Sequence, residues 1–227
     1  MRLSSEGIAF AASVVSTSPT AFFEALALFP GTSVKRIHVD VMDGDFVPRL
    51  GLYPEFVNEI RSLTDLPIDA HMMMTNPEPY FRTFVDAGVT RIVPHIEPLH
   101  HVHRTLDSIR CLGAEAGLAL NPHTNFGGLQ YIATELEAVT VMAINPGVVG
   151  HRFISSTYGK ITDLRLFLTS NGFRGVIEVD GGVTFDNIAQ ISSSGADVLV
   201  VGAGTLFHPG GSTRTNLSAL NVAALAD

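Results

Sequence analysis

Short apolar or β-branched runs recur along the whole chain, and amphipathic stretches separate them. The runs that predict strands are Ile8–Ala12, Val34–Val39, Ile68–Met72, Arg91–His95, Ala116–Leu120, Val139–Ile144, Gly175–Val179 and Val198–Val201. The intervening stretches with helical spacing are Pro19–Phe29, Pro54–Leu63, Pro79–Ala87, Val102–Leu112, Gly128–Leu136, Gly159–Ser170, Asn187–Ser193 and Thr213–Ala226. Ser18 followed by Pro19 is a helix-start signal, a capping hydroxyl ahead of a pre-set φ. Strict alternation of strand and helix predicts an α/β fold with a parallel sheet. About eight such units in 227 residues suit a (β/α)8 barrel formed as a single domain over residues 1–227. A doubly wound sheet is disfavoured, because the first strand is followed by Ser13, Val14, Val15 and Ser16 in place of a phosphate-binding glycine loop.

Composition narrows the picture. Hydrophobic residues make up 46% and charged residues 16%, enough apolar surface for a large core. The formal net charge is -8 and no basic run occurs, which argues against a nucleic-acid partner. The single cysteine, Cys111, excludes an internal disulfide framework and fits a reducing compartment; its helical stretch predicts burial. The apolar segment near the start is too short to span a bilayer and lacks the pattern of a signal peptide, so a cytoplasmic protein without membrane attachment is expected.

Polar residues cluster where the predicted strands end. The second strand leads into His38 and Asp40, the third into His71, the fourth into His95 and Glu97, the seventh into Asp180. Residues i and i+2 of a strand share a face, so His38 and Asp40 point together into the barrel mouth. His71 lies on the neighbouring strand and Asp180 across the barrel. Two imidazoles and two carboxylates make a mixed N/O set suited to Zn²⁺, Fe²⁺, Mn²⁺ or Co²⁺. The pattern alone leaves open that they are hydrogen-bonded barrel residues. Asp43, in a Met-Asp-Gly turn, reads as turn-stabilising; Glu97 could orient a ligand histidine. His100, His101 and His103 look like a metal cluster but read better as the exposed start of a helix. Glycines after the last strands, Gly181–Gly182 and Gly202, would let backbone N–H groups approach an anion, or simply make tight turns.

At these positions the sequence resembles the ribulose-phosphate 3-epimerase family. The resemblance rests on His38-Val-Asp40-Val-Met42-Asp43-Gly44 followed by Phe46-Val-Pro48; on Asp69-Ala-His71-Met72-Met73; on His95-Ile-Glu97; and on Gly117-Leu-Ala-Leu-Asn121-Pro122. Val141-Met142 with Asn145-Pro-Gly147, Val179-Asp180-Gly181-Gly182, and Gly195-Ala-Asp197 leading to Val201-Gly202 complete an ordered set that runs from Ile8 to Phe207. The resemblance implies one divalent metal held by His38, Asp40, His71 and Asp180, and a ketose phosphate substrate inverted at carbon 3, with ribulose 5-phosphate becoming xylulose 5-phosphate. Asp40 and Asp180 would double as the acid/base pair acting through an enediolate. The resemblance also implies that Ser13 and His71 touch substrate, and that Met42, Met72 and Met142 line the reacting carbons. The backbone around Gly147, Val148, Val149, Gly150, Gly181, Gly182, Gly202 and Ala203 would hold the phosphate. Self-association as a dimer or hexamer is implied too.

The sixth loop departs from the family. It reads Pro146-Gly-Val-Val-Gly-His-Arg-Phe153, with Val149 where glycine is usual and with His151 and Arg152 beyond it. Arg49 replaces part of an Asn-rich stretch, and Ala203 stands where serine is common. A different ketose phosphate such as allulose 6-phosphate, or a substrate gripped by Arg49, His151 or Arg152, therefore stays open. So does a non-catalytic sugar-phosphate-binding barrel. A lysine-dependent relative that cleaves sugar phosphates is disfavoured, because neither Lys35 nor Lys160 falls at a predicted strand end.

Overall fold

The computed structural model describes residues 7–147 and 150–225. Its strands are β1 (Ala9–Ser13), β2 (Val34–Met42), β3 (Ile68–Met73), β4 (Arg91–Pro94), β5 (Glu115–Leu120), β6 (Ala138–Met142), β7 (Val176–Asp180) and β8 (Val198–Val201). Each pairs in parallel with its sequence neighbour, and β8 closes on β1 in a register from Ala9 opposite Val198 to Ala12 opposite Val201. The helices are α1 (Pro19–Leu26), α2 (Pro54–Leu63), α3 (Phe81–Asp86), α4 (Val102–Cys111), α5 (Ser156–Ser170), α6 (Ile188–Ser193) and α7 (Thr213–Leu225). This is the expected (β/α)8 barrel. Among the described residues, no helix is long and apolar enough to cross a membrane.

Local chemistry explains the boundaries. The Ser18 hydroxyl caps α1 by accepting from the Ala21 N–H at 3.3 Å, with Pro19 in the first turn. Strand β2 runs past Val39 to Met42, because its register with β3 continues to Met42 opposite Met73. The helix expected over 79–87 divides into a 3₁₀ turn, Glu78–Tyr80, and the short α3. The one expected over 128–136 forms no α-helix, only 3₁₀ turns at Gly127–Tyr131 and Ala133–Glu135. Two leading glycines and the β-branched Ile132 and Thr134 give that short stretch poor helical propensity. Ala226 lies outside the described residues. Cys111 is exposed, contrary to the expectation of burial. The buried positions of α4 are Thr105, Leu106 and Ile109, and Cys111 ends the helix on another face. His100 and His101 lead into α4 and His103 lies in its first turn, all three exposed as the start of a helix, and His103 Nδ1 stands 3.1 Å from Glu135 Oε1.

The barrel interior is asymmetric. On one side Ala11, Val198 and Val200 form a small apolar layer with Ala9 and Val176. The other side carries charge. Arg36 donates through Nε to both Asp69 oxygens at 2.8 Å. Arg91, 2% exposed, reaches from Asp69 to Glu178, its Nη2 standing 3.0 Å from Glu178 Oε2. Thr140 Oγ1 donates to Glu178 Oε1 at 3.0 Å. Buried charges survive only when paired and hydrogen-bonded, and this ladder alternates sign at every step.

Candidate active site

Strand alternation aims His38 and Asp40 of β2, His71 of β3 and Asp180 of β7 at one point at the C-terminal rim. Each offers a ligand atom within 4.8 Å of the others. His38 Nε2 lies 3.4 Å from Asp40 Oδ1 and 3.6 Å from Asp180 Oδ2; His71 Nδ1 lies 3.4 Å from each of the same two oxygens. Four N/O donors held about 2.0–2.1 Å from a central dication at tetrahedral angles stand about 3.3–3.4 Å apart. Both nitrogens of buried His38, and Nδ1 of buried His71, have no hydrogen-bond partner among the described residues. Orphaned imidazole nitrogens facing two carboxylates at ligand–ligand spacing fit a divalent cation.

The electrostatics point the same way. Burial disfavours a proton on His38, but the Asp40 and Asp180 carboxylates outweigh it and hold its pKa well above the usual histidine value. His71 is raised for the same balance of reasons. Burial would raise Asp40, yet the two imidazoles hold it well below the ordinary carboxylate range. Positive charge is therefore wanted at this point, and protons and a cation would compete for the same nitrogens.

Each imidazole has a carboxylate behind it. His71 Nε2 meets His95 Nε2 at 2.9 Å, and His95 Nδ1 meets Glu97 Oε2 at 3.0 Å. Glu97 is anchored in turn, its Oε1 accepting from the Asn121 N–H at 2.7 Å and from the Thr124 hydroxyl. Burial lowers the His95 pKa to about 4, despite Glu97. Glu97 falls to about 2, because hydrogen bonds from His95, Thr124 and Asn121 outweigh its burial. Behind His38, Nδ1 faces Glu178 Oε1 at 3.6 Å. Glu97 thus reaches a cluster histidine through His95, whose part the sequence reading passes over. It also passes over Glu178. The available signal was that Glu178 and Asp180 stand i and i+2 on one strand, so a carboxylate pointing inward had to meet a cation there.

Around the cluster opens a cavity of about 600 Å³. Ser13 lines it and donates to Asp40 Oδ2 at 3.2 Å, and Met42 and Met142 line it as expected. Met72 does not belong with them. It is fully buried in the main core, and the lining methionine of β3 is Met73. Successive strand residues face opposite ways, so His71 and Met73 share the inner face and Met72 points out. Gly147, Gly150, Gly181, Gly182, Gly202 and Ala203 also line the cavity; Val148 and Val149 lie outside the described residues. Gly182 has φ +67°, and a Cβ there would sit 2.7 Å from the Phe153 nitrogen. Arg49, His151 and Arg152 line the mouth, and none has a carboxylate partner among the described residues. Asp43 holds its turn by accepting from the Asp45 and Phe46 N–H groups at 2.9 Å, and ties it to the loop after β3 by accepting from the Thr75 N–H at 2.7 Å. Lys160 caps the carbonyls of Asn121 at 2.7 Å and Pro122 at 3.2 Å, and does not line the cavity.

The fold first places the chain among (β/α)8-barrel proteins. It superposes on KGPDC from Streptococcus mutans with a TM-score of 0.73 at 14% identity, over 96% of this chain and 97% of the other. On a tryptophan synthase α-subunit from Pyrococcus furiosus the TM-score is 0.63 at 15% identity, over 96% of each chain. At such identities the likeness concerns the fold alone. Sequence goes further: the ribulose-phosphate 3 epimerase family matches residues 9–206. The chain is 43% identical over 169 residues to the chloroplastic ribulose-5-phosphate-3-epimerase of Arabidopsis thaliana, spanning 74% of this chain and 60% of that one. With the ribulose-phosphate 3-epimerase of Aquifex aeolicus identity is 41% over 168 residues, 74% of this chain and 76% of the other. With that of Synechocystis it is 37% over 207 residues, 90% of each. The chain belongs to the ribulose-phosphate 3 epimerase family, isomerases acting on carbohydrates.

Proposed function

We propose that this chain inverts carbon 3 of a ketose phosphate, taking D-ribulose 5-phosphate to D-xylulose 5-phosphate, with Asp40 and Asp180 as the proton-moving pair. One observation supports this reading above the others: two carboxylates that line one cavity, from different sides of the barrel, converge on unpartnered nitrogens of two buried imidazoles, Nε2 of His38 and Nδ1 of His71. A divalent cation held by His38, Asp40, His71 and Asp180 (zinc, iron, manganese or cobalt) would supply positive charge where the substrate's oxygens gain negative charge as the carbon-bound proton leaves. One aspartate takes that proton from one face of the substrate, and the other returns a proton to the opposite face. To do so one must begin ionised and the other protonated. Met42, Met73 and Met142 offer apolar walls with no strong donor, so water is kept from the reacting carbon. Ser13 orients Asp40 and reaches substrate, and the backbone of Gly147, Gly150, Gly181, Gly182, Gly202 and Ala203 takes the phosphate at the loops usual for this architecture. The same kinship supports a cytoplasmic homo-oligomer, a dimer or hexamer.

A second reading, a hexulose phosphate such as allulose 6-phosphate, is favoured by Arg49, His151 and Arg152 at the mouth, which leave more than one place for an anion. A non-catalytic barrel could hold a metal with the same carboxylates but would exchange no proton at carbon 3. The test is deuterium incorporation at carbon 3 of pentulose and hexulose phosphates in D₂O, with and without chelator. Exchange should require metal and favour one sugar phosphate. Asp180→Asn should cut exchange by about 10²–10⁴-fold with the fold intact. Wild-type exchange in that variant would refute the role of Asp180, and indifference to every sugar phosphate would refute the substrate class.

A further inference from the structure

We propose that Glu97 is a positioning residue that acts through His95 to fix the tautomer of His71, so that the Nδ1 lone pair of His71 faces the cluster. The inference rests on the reading that the cluster holds a divalent cation. Two imidazole nitrogens 2.9 Å apart, His71 Nε2 and His95 Nε2, cannot both donate or both accept. What decides between them lies at the far end of the chain. Glu97 Oε1 is occupied by the Asn121 N–H and the Thr124 hydroxyl, which leaves Oε2 to meet His95 Nδ1 at 3.0 Å. An ionised carboxylate only accepts, so His95 Nδ1 carries the hydrogen. Neutral His95 then has its lone pair on Nε2, His71 must donate from its own Nε2, and its Nδ1 is left bare toward Asp40 and Asp180. Both imidazoles are fully buried, so no bulk water competes for these bonds. His71 is thereby held as the reverse tautomer of His38, which presents Nε2 to the same point.

Glu97→Gln inverts this order with almost no change of shape. The Asn121 N–H still requires an oxygen, so the new NH₂ must face His95 Nδ1. His95 Nδ1 becomes the acceptor, its Nε2 the donor, and His71 is driven to carry hydrogen on Nδ1, where the metal would bind. His95→Gln should preserve the order, since its amide can donate toward Glu97 and accept from His71; His95→Leu removes both bonds. The experiment measures Zn²⁺ affinity of the full chain by calorimetry in competition with a chelator, with thermal melts, and reads histidine tautomers in the zinc-loaded protein by long-range ¹H–¹⁵N NMR. Glu97→Gln should bind Zn²⁺ about 10–100-fold more weakly, the range for losing a partner behind a metal ligand, while His95→Gln stays within a few-fold of wild type and His95→Leu does not. Wild-type affinity in Glu97→Gln overturns the proposal, as do equal losses in His95→Gln and His95→Leu, which would reflect packing. Should Glu97→Gln fail to fold, the comparison of the two His95 variants decides. Failure of the wild type to bind Zn²⁺, Co²⁺, Mn²⁺ or Fe²⁺ would sink the metal reading itself.

Discussion

Glu97 shows how much one side chain can hold when every oxygen is engaged. Its pKa falls to about 2 from a starting value of 4.5, so folding favours its charged form. A depressed carboxyl contributes stability that is complete above its unfolded pKa and is lost as pH falls through the folded one, here between about 5 and 2. The stability difference between wild type and Glu97→Gln, from urea unfolding, should therefore be about 1–2 kcal/mol at pH 6 and vanish only as pH falls below about 2. A pH-independent difference would mean that shape, not charge, is what the protein uses. The residues of the cluster were legible in the sequence because chemistry and strand spacing coincide: His38 and Asp40 are two apart, and both stand at a strand end. His95 and Glu178 were not, because their partners come from other strands. Nothing local marks His95 as a contact of His71, and the spacing of Glu178 and Asp180 turns Glu178 inward without saying that its cation is Arg91.

At the level of elements, all eight strands were readable from their β-branched runs, while the helices were readable only where composition and length agreed. The stretch after β5 carries apolar residues at helical intervals but starts with Gly127 and Gly128, and it settles into 3₁₀ turns. Periodicity states what could be buried; propensity decides whether the helix forms. The strand-to-helix loops raise a sharper question at Gly182, where positive φ coincides with a close approach to Phe153. Gly182→Ala should cost about 1–3 kcal/mol and raise KM for the sugar phosphate more than it lowers kcat. Gly113→Ala is the matching control, with φ +87° and nothing within 4 Å of the added carbon. It should lose stability through backbone strain and leave KM unchanged. Equal KM in both variants would remove the loop after β7 from substrate binding.

For the whole molecule, charge is distributed against the average. The chain carries a formal net charge of -8, yet its mouth is lined by Arg49, His151 and Arg152, which have no carboxylate partner among the described residues. A local positive rim on an acidic protein would draw a phosphorylated substrate inward and be screened by salt. Arg49→Gln and Arg152→Gln should each raise KM several-fold and flatten the decline of kcat/KM with ionic strength. Unchanged salt dependence in the double variant would leave the rim without a role in capture.

The alternating ladder Arg36–Asp69–Arg91–Glu178 also bears on how such a chain can change over time. Deleting Arg91 leaves the buried Glu178 carboxylate without its arginine partner, at about 3–5 kcal/mol, a large share of the few kcal/mol that keep a domain folded. Replacing the rungs together by well-packed aliphatics can be neutral or better. These positions therefore sit on an isolated peak: each single step away is a fall, and a different axis of the barrel is reachable only by several coordinated substitutions.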